Sequence, residues 1–111
     1  MDKRSVSVII PNYNGRHLLE EYLPVTIAVV EQAAMPYEII VVDDGSKDNS
    51  VSFLKSNYPR VKLVINPENR GFSFTCNRGI EVAQYELVLL LNSDVKLTTG
   101  YFDAQWKYFE K

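Results

Sequence analysis

The sequence predicts an α/β protein, a Rossmann-like three-layer sandwich built on a mostly parallel sheet. Its 111 residues suit a single domain over residues 1–111. Four short runs rich in Val, Ile and Leu alternate with polar loops and stretches of helical length. Because apolar residues scarcely alternate with polar ones in these runs, we expect strands covered on both faces. Right-handed crossovers then place helices on both sides of the sheet.

The predicted strands are residues 6–10, 38–42, 61–65 and 86–91. The first helix should begin after Asn14 and Gly15 and extend towards Gln32. Pro24 falls inside this helix, and proline removes one helical hydrogen bond and clashes with the preceding turn. We therefore expect a break or kink near Leu23.

The second predicted helix spans about residues 50–56, with Ser46 or Asp48 as its N-cap. The third spans about residues 72–84, where one apolar face is predicted from the helical spacing of Cys76, Ile80 and Ala83.

A fourth helix is predicted after Gly100. Phe102, Trp106 and Phe109 stand at positions i, i+4 and i+7 and so share one helical face. We interpret this aromatic face as a packing surface rather than a platform for a ligand.

The composition excludes several classes of function. A net charge of -2 argues against nucleic-acid binding. No segment has the roughly 18 apolar residues of a membrane span, and the N-terminus does not resemble a signal peptide. Cys76 is the single cysteine, which fits a reducing compartment. With only His17 as a base, itself predicted on the surface, Cys76 is interpreted as a buried thiol rather than a nucleophile. The default expectation is a cytoplasmic location.

Polar loops follow all the predicted strands, at residues 11–15, 43–46, 66–71 and 92–94. In an open parallel sheet, ligands bind beyond the carboxyl ends of the strands. Because the loops meet at that edge, their short polar side chains are predicted to form one ligand site.

Asp43 and Asp44 form an acidic pair before Gly45, directly after the second strand. A carboxylate there can accept hydrogen bonds from a nucleobase N–H or from ribose hydroxyls. The alternative is a role in a turn or a helix cap, for which Asp-Gly is a strong signal. We interpret the pair as divided, with one Asp for each purpose, and Gly45 permits the sharp turn.

Asp94, in the loop after the fourth strand, is the candidate metal ligand. A carboxylate oxygen suits Mg²⁺ or Mn²⁺, and such a cation neutralises the charge of a diphosphate leaving group. Taken by itself, the sequence Asn92-Ser93-Asp94 favours the alternative, a turn or a helix cap.

The third loop and the first loop hold further candidates. Asn69, Gly71 and Asn77 flank the start of the third helix. Arg70 lies among them and can meet a phosphate near the helix amides, or else remain solvated beside a glycine turn. Tyr13 offers an aromatic face that either stacks on a base or closes the edge of the core.

Ordered motifs at family spacing lie at residues 6–14, 38–48, 66–72, 77–80 and 89–94, so the matching region extends from about Ser5 to Gly100. Together they resemble the family 2 glycosyltransferases, which have the GT-A fold. The resemblance implies an inverting transferase that uses a nucleotide-diphosphate sugar with Mg²⁺ or Mn²⁺ in cell wall or polysaccharide biosynthesis.

The donor-binding residues that the resemblance implies are Pro11, Tyr13, Asp43, Asp44, Asn69, Gly71, Asn77, Asn92 and Asp94. Pro11 and Tyr13 would border the nucleobase, and Asp44 would bind the base or the ribose. Asp94 would match the last residue of the family's DxD motif and ligate the metal. The first position of that motif is Asn92, which favours weaker metal binding.

Catalytic domains of this family extend well beyond 111 residues. The resemblance therefore implies a truncated, donor-binding half without an acceptor site, and the general base is expected beyond residue 111. In the full-length enzyme a saccharide or lipid-linked acceptor would bind, the latter at the inner membrane surface. The fourth strand is left at an edge of the sheet, which predicts self-association into a homo-oligomer.

Two other classes compete with this interpretation. A response-regulator receiver is also a small α/β protein with paired acids, but its pair follows the first strand, whereas Asp43 and Asp44 follow the second. A non-catalytic nucleotide-sugar-binding module shares every motif with the enzyme. Donor binding without transfer would distinguish it.

Overall fold

The computed structural model describes residues 5–92. Its elements follow the predicted alternation: β1 Val6–Asn12, α1 Arg16–Gln32, β2 Tyr37–Asp44, α2 Ser50–Asn57, β3 Lys62–Asn66, α3 Phe72–Val82 and β4 Leu87–Leu90. Asp94 and the predicted fourth helix, with Phe102, Trp106 and Phe109, lie outside the described residues.

All the strands are parallel and stand in the order β3-β2-β1-β4. The chain moves outward from β1 to β3 and then crosses to the other side of β1. Ile9 faces Ile40 on β2 and Leu90 on β4, which fixes the register at the centre of the sheet. The order therefore reverses between β1 and β4, at the switch point where open α/β sheets bind ligands. The predicted α/β fold with a parallel sheet is confirmed.

Most of the core lies on the face of the sheet that α1 and α2 cover. Alternate residues of β1 and β2 point to this face, because side chains on a strand alternate between its two sides. The buried apolar residues here are Val6, Val8, Ile10, Leu19, Leu23, Val29, Val30, Met35, Ile39, Val41, Leu54 and Leu91. This packing fixes the ends of β1 and β2, from which the site is built.

Helix α3 covers the opposite face, over Ile9, Ile40 and Val42. It comes close to the sheet at Gly79, where an added Cβ would stand 2.4 Å from Ile9 Cγ2 and 3.2 Å from Val42 Cγ2. Helices on both faces confirm the three layers. Within the described part of the chain, no helix is both long enough and apolar enough to span a membrane.

Helix α1 corrects one prediction, because it continues through Pro24 without a break. Proline removes one hydrogen bond, but buried residues on both sides of it, including Leu23 and Val29, hold the helix against the sheet. The N-cap of α2 is also corrected, because it is Asn49 rather than Ser46 or Asp48.

Strand β4 corrects the expectation of strands covered on both faces. Its burial alternates, with Val88 and Leu90 more than 40% exposed on the side of α3. Helix α3 packs mainly against β1 and β2, and these two side chains of β4 stay exposed. Ile80 is also exposed, so the predicted apolar face of α3 is buried only at Cys76 and partly at Ala83.

Candidate functional site

A cavity of about 390 Å³ opens at the carboxyl edge of the sheet. Loops after all the strands contribute to its wall, as the topology predicts. The residues that line it are Pro11, Asn12, Tyr13, Leu18, Asp44, Asn69, Gly71, Phe72, Thr75 and Asn92. Six of the predicted donor-binding residues therefore meet at one place: Pro11, Tyr13, Asp44, Asn69, Gly71 and Asn92.

Asp44 is the buried carboxylate of this cavity and ends β2. Its Oδ1 accepts hydrogen bonds from Asn66 Nδ2 at 2.9 Å and from the backbone N–H of Arg70 at 2.7 Å. Its Oδ2 accepts one from the backbone N–H of Gly71 at 3.0 Å. Asp44 therefore holds the loop between β3 and α3 against the end of β2.

The surroundings of Asp44 lower the pKa of its carboxyl group. Burial opposes ionisation and would raise that pKa, but the hydrogen bonds from Asn66, the N–H groups of Arg70 and Gly71, and Thr75 together outweigh it. Asp44 is consequently ionised at neutral pH, and the cavity carries a fixed negative charge that attracts hydrogen-bond donors.

Two glycines with positive φ shape the loops around Asp44. At Gly45, with φ +74°, a Cβ would lie 2.6 Å from Asn69 N and 2.6 Å from the carbonyl carbon of Glu68. The turn after β2 can therefore touch the β3–α3 loop only with glycine in this place. Gly71, with φ 97°, is the N-cap of α3 and has a conformation that is essentially restricted to glycine.

A second network joins the first two loops on the other side of β2. Asp43 accepts hydrogen bonds from Asn12 Nδ2 at 3.0 Å and from the backbone N–H of Ser46 at 2.9 Å. Asn14 Oδ1 accepts one from Lys47 N at 2.7 Å. These contacts fix the turn, and Asp43 does not line the cavity.

Several other candidates also lie away from the cavity wall. Asn77 is exposed on α3 and is not among the lining residues. Arg70 pairs with Glu68 at 3.2 Å, and its guanidinium stands over the ring of Phe74. His17 is exposed, as predicted.

The predicted buried thiol is confirmed at Cys76. Burial raises the pKa of the Cys76 thiol, and a thiol in that state is a poor nucleophile.

Sequence reasoning missed several residues of the site. Asn12, Thr75 and Phe72 line the cavity, and Asn66 stands behind Asp44. Asn66 carried a signal, because a polar residue at the end of a predicted strand belongs to the ligand edge. Thr75 carried none, because a threonine inside a helix usually faces a neighbouring element for packing alone.

A second cavity, of about 410 Å³, lies at the amino end of β2 near Tyr37 and Arg60. Its acidic groups already have partners: Tyr37 donates a hydrogen bond to Glu31 at 3.1 Å, and Glu38 pairs with Lys62 at 3.3 Å. We assign the ligand site to the carboxyl edge, where the strand-end loops converge.

The carboxyl-edge cavity also bears on the expected metal. In the range from residue 5 to residue 92, no group of three or more His, Cys, Asp or Glu side chains could hold an ion. The oxygen donors of the cavity wall include Asp44 and Asn92.

The family model described as "Glycosyl transferase family 2" matches residues 7–111 of the chain. The chain belongs to the family 2 glycosyltransferases. The resemblance seen in the sequence motifs is therefore confirmed.

Two of the curated proteins similar to this glycosyltransferase chain come from bacteria. Undecaprenyl-phosphate 4-deoxy-4-formamido-L-arabinose transferase of Pseudomonas fluorescens (strain SBW25) is 38% identical over 95 residues, which is 82% of this chain and 28% of that protein. An uncharacterized glycosyltransferase of Haemophilus influenzae is 32% identical over 111 residues, covering 97% of this chain and 43% of that protein. The chain thus spans less than half the length of these relatives.

Solved structures show the same fold. TarS of S. aureus (residues 1–349) superimposes with a TM-score of 0.79 at 23% identity, over 96% of this chain and 32% of that one. The mannosyltransferase PcManGT of Pyrobaculum calidifontis, solved in complex with GDP-Man and Mn²⁺, gives 0.75 at 25% identity, over 96% of this chain and 32% of that one. The Rossmann-like glycosyltransferase fold is shared by both.

Proposed function

We propose that the carboxyl-edge cavity binds a nucleotide-diphosphate sugar and that the chain is the donor-binding half of an inverting glycosyltransferase. One observation carries the proposal: Tyr13, Asp44, Gly71 and Asn92, from four separate strand ends, line a single cavity of about 390 Å³. The complex of the similar PcManGT with GDP-Man and Mn²⁺ supports it.

The donor's nucleoside is assigned to the side of the cavity that holds Tyr13. Tyr13 is 49% exposed, so a planar base has access to its ring, and Pro11 lines the same cavity. Phe72 is 60% exposed on the same cavity and offers a further apolar surface. Asp44 accepts a hydrogen bond from the base or the ribose, and Asn69 shapes the wall.

Neither Asp43 nor Asn77 lines the cavity, so we assign neither of them a direct contact with the donor. Asp43 fixes the turn that presents Asp44.

The diphosphate is assigned to the side of Asn92, with Asp94 as the ligand of Mg²⁺ or Mn²⁺. The carboxylate of Asp94 follows Asn92 by two residues in the sequence. When bound, the cation neutralises charge that develops on the leaving diphosphate.

We propose that the acceptor is either a saccharide or a lipid-linked molecule. Several relatives are named as undecaprenyl-phosphate sugar transferases, and these names support a lipid-linked acceptor. Such a substrate would bring the full-length protein from the cytoplasm to the inner membrane surface.

Calorimetric titration of the chain with UDP, GDP and dTDP, with and without Mn²⁺, tests the donor site. One nucleotide is expected to bind, and more tightly with Mn²⁺. Asp94→Ala should abolish only the metal-dependent part of the affinity, since it removes the proposed ligand.

Asp103→Ala is the matched control for Asp94→Ala, because it removes an acid from the same terminal stretch. It should bind nucleotide and Mn²⁺ as the unaltered chain does. If none of the three nucleotides binds under either condition, the proposed function is wrong.

We also propose that the chain self-associates through β4. Within residues 5–92 this strand pairs only with β1, and Val88 and Leu90 are exposed. An apolar strand at the edge of a sheet favours pairing with another copy. Sedimentation equilibrium should show dimers at high protein concentration, and a monomer at every concentration would contradict the proposal.

A further inference from the structure

Two buried polar side chains stand around Asp44, Asn66 at the end of β3 and Thr75 on α3. Each is only 1% exposed. We infer that Asn66 and Thr75 are positioning residues of the donor site, which fix the Asp44 carboxylate, and through it the β3–α3 loop, in the form that binds a nucleoside diphosphate. This inference rests on the proposed function.

The strand register brings Asn66 to Asp44. The two residues are partners across the parallel pair β2–β3, so their side chains leave the sheet on the same face. Asn66 Nδ2 donates to Asp44 Oδ1 at 2.9 Å. Asn66 is not among the residues that line the cavity, so it acts on a ligand through Asp44.

Thr75 fixes the orientation of the Asn66 amide. Asn66 Nδ2 has a second hydrogen, which it donates to Thr75 Oγ1 at 3.1 Å. An amide with both hydrogens engaged cannot rotate without losing two buried hydrogen bonds. The Thr75 hydroxyl also contributes to holding Asp44 ionised.

These contacts determine how the two oxygens of Asp44 are used. Asn66 and the N–H of Arg70 both donate to Oδ1, whereas the backbone N–H of Gly71 donates to Oδ2. A carboxylate has about four acceptor positions. Asn66 and the N–H of Arg70 thus both engage Oδ1, and they fix the orientation in which the carboxylate faces the cavity.

Thr75→Val and Thr75→Ser form the decisive pair of variants, because valine matches threonine in shape without the hydroxyl and serine retains it. Thr75→Val is expected to bind the preferred one of UDP, GDP and dTDP about tenfold more weakly, as for the loss of one hydrogen bond to a buried group. Thr75→Ser should restore the affinity to within about twofold. Asn66→Leu should weaken binding at least as much as Thr75→Val.

A second readout needs no ligand. Carbon-detected NMR titration of the Asp44 carboxyl should show a higher pKa in Thr75→Val and in Asn66→Leu than in the unaltered chain, because donors to the carboxylate are lost or misaligned. Thr75→Ser should restore the pKa. No titratable group is altered in any of these variants. Those on the elements that meet at Asp44 include Tyr13, Tyr37, Glu38, Asp43, Lys62, Glu68, Arg70, Cys76, Arg78 and Glu81.

Thr26→Val is the matched control, because Thr26 is an equally buried threonine on α1, outside the cavity wall. It should leave both the affinity and the Asp44 pKa unchanged. An unaltered Asp44 pKa in folded Thr75→Val overturns the positioning role whether or not a nucleotide binds. A changed pKa with unchanged affinity also overturns it, whereas the absence of nucleotide binding by the unaltered chain overturns the proposed function instead.

Discussion

Asp43 and Asp44 are neighbours in the sequence with different surroundings, because successive side chains of a strand point to opposite faces. Asp43 binds Asn12 and the N–H of Ser46 and so stabilises a turn. Asp44 lines the cavity and binds the β3–α3 loop. The interpretation of one Asp for the turn and one for the ligand agrees with these contacts, and the ligand role of Asp44 stays a prediction.

The lowered pKa of Asp44 predicts how stability depends on pH. A carboxyl group with a lowered folded-state pKa contributes stability above its unfolded-state pKa, about 3.9, and loses that contribution as the pH falls through the folded-state pKa. We expect Asp44→Asn to be about 1–3 kcal/mol less stable at pH 7, because the N–H groups of Arg70 and Gly71 lose a charged acceptor. Below about pH 4 the difference should shrink. Urea unfolding between pH 3 and pH 7 measures both effects.

Glu81→Gln is the control for Asp44→Asn, because it removes one negative charge from an exposed position on α3. Its stability should follow that of the unaltered chain at every pH. The lowered pKa values of Glu38 and Asp48 leave some acid sensitivity in all variants. If Asp44→Asn were as stable as the unaltered chain at pH 7, Asp44 would not hold the loop.

At the scale of elements, the distance between α3 and the sheet depends on Gly79. Glycine weakens an isolated helix by about 1 kcal/mol relative to alanine, so its presence inside α3 needs a packing reason. That reason is the contact with Ile9 and Val42, where no Cβ fits. Because Phe72 and Thr75 on the same helix line the cavity, the seating of α3 also sets the width of the site.

Gly79→Ala is expected to destabilise the fold by about 1–3 kcal/mol in spite of its better helix propensity, because a Cβ 2.4 Å from Ile9 Cγ2 must displace the helix or the strand. Chemical unfolding followed by circular dichroism measures the change. Ser73→Ala, at an exposed position of α3, should change stability by only a few tenths of a kcal/mol. Stabilisation by Gly79→Ala would show that the helix sits further from the sheet than described.

For the molecule as a whole, we predict that the 111-residue chain binds a donor without transferring its sugar. A general base must accept a proton from the acceptor and needs a pKa near the working pH. Asp44 is the only carboxylate on the cavity wall within residues 5–92, and hydrogen bonds lower its pKa. It is therefore a poor general base.

Incubation of the chain with UDP-glucose, UDP-GlcNAc or GDP-mannose, undecaprenyl phosphate and Mn²⁺ should give no glycosylated lipid. Metal-dependent transfer by the chain would contradict the prediction. The same assay on a longer protein that contains this sequence separates an enzyme from a non-catalytic nucleotide-sugar-binding module, since the module would bind the donor and still transfer nothing.

Local sequence patterns predicted the elements well where one physical cause dominates. Runs of Val, Ile and Leu predicted the strands, and polar residues after them predicted the loops of the cavity. The errors arose where packing competes with local preference. Pro24 does not break α1, and Ile80 keeps helical spacing yet stays exposed, because α3 lies over β1 and β2 rather than β4.

The sequence by itself determined the alternation of strands and helices, the parallel sheet and the edge at which polar loops gather, because periodicity and right-handed crossovers depend on local chemistry. Only the tertiary structure decided which of the two acids faces the cavity, that Asn66 and Thr75 join at Asp44, and that Asn77 lies outside the wall. Those outcomes depend on strand register and on the approach of α3. Both are set by contacts between residues distant in the chain, such as Asp44 with Asn66 and Gly79 with Ile9.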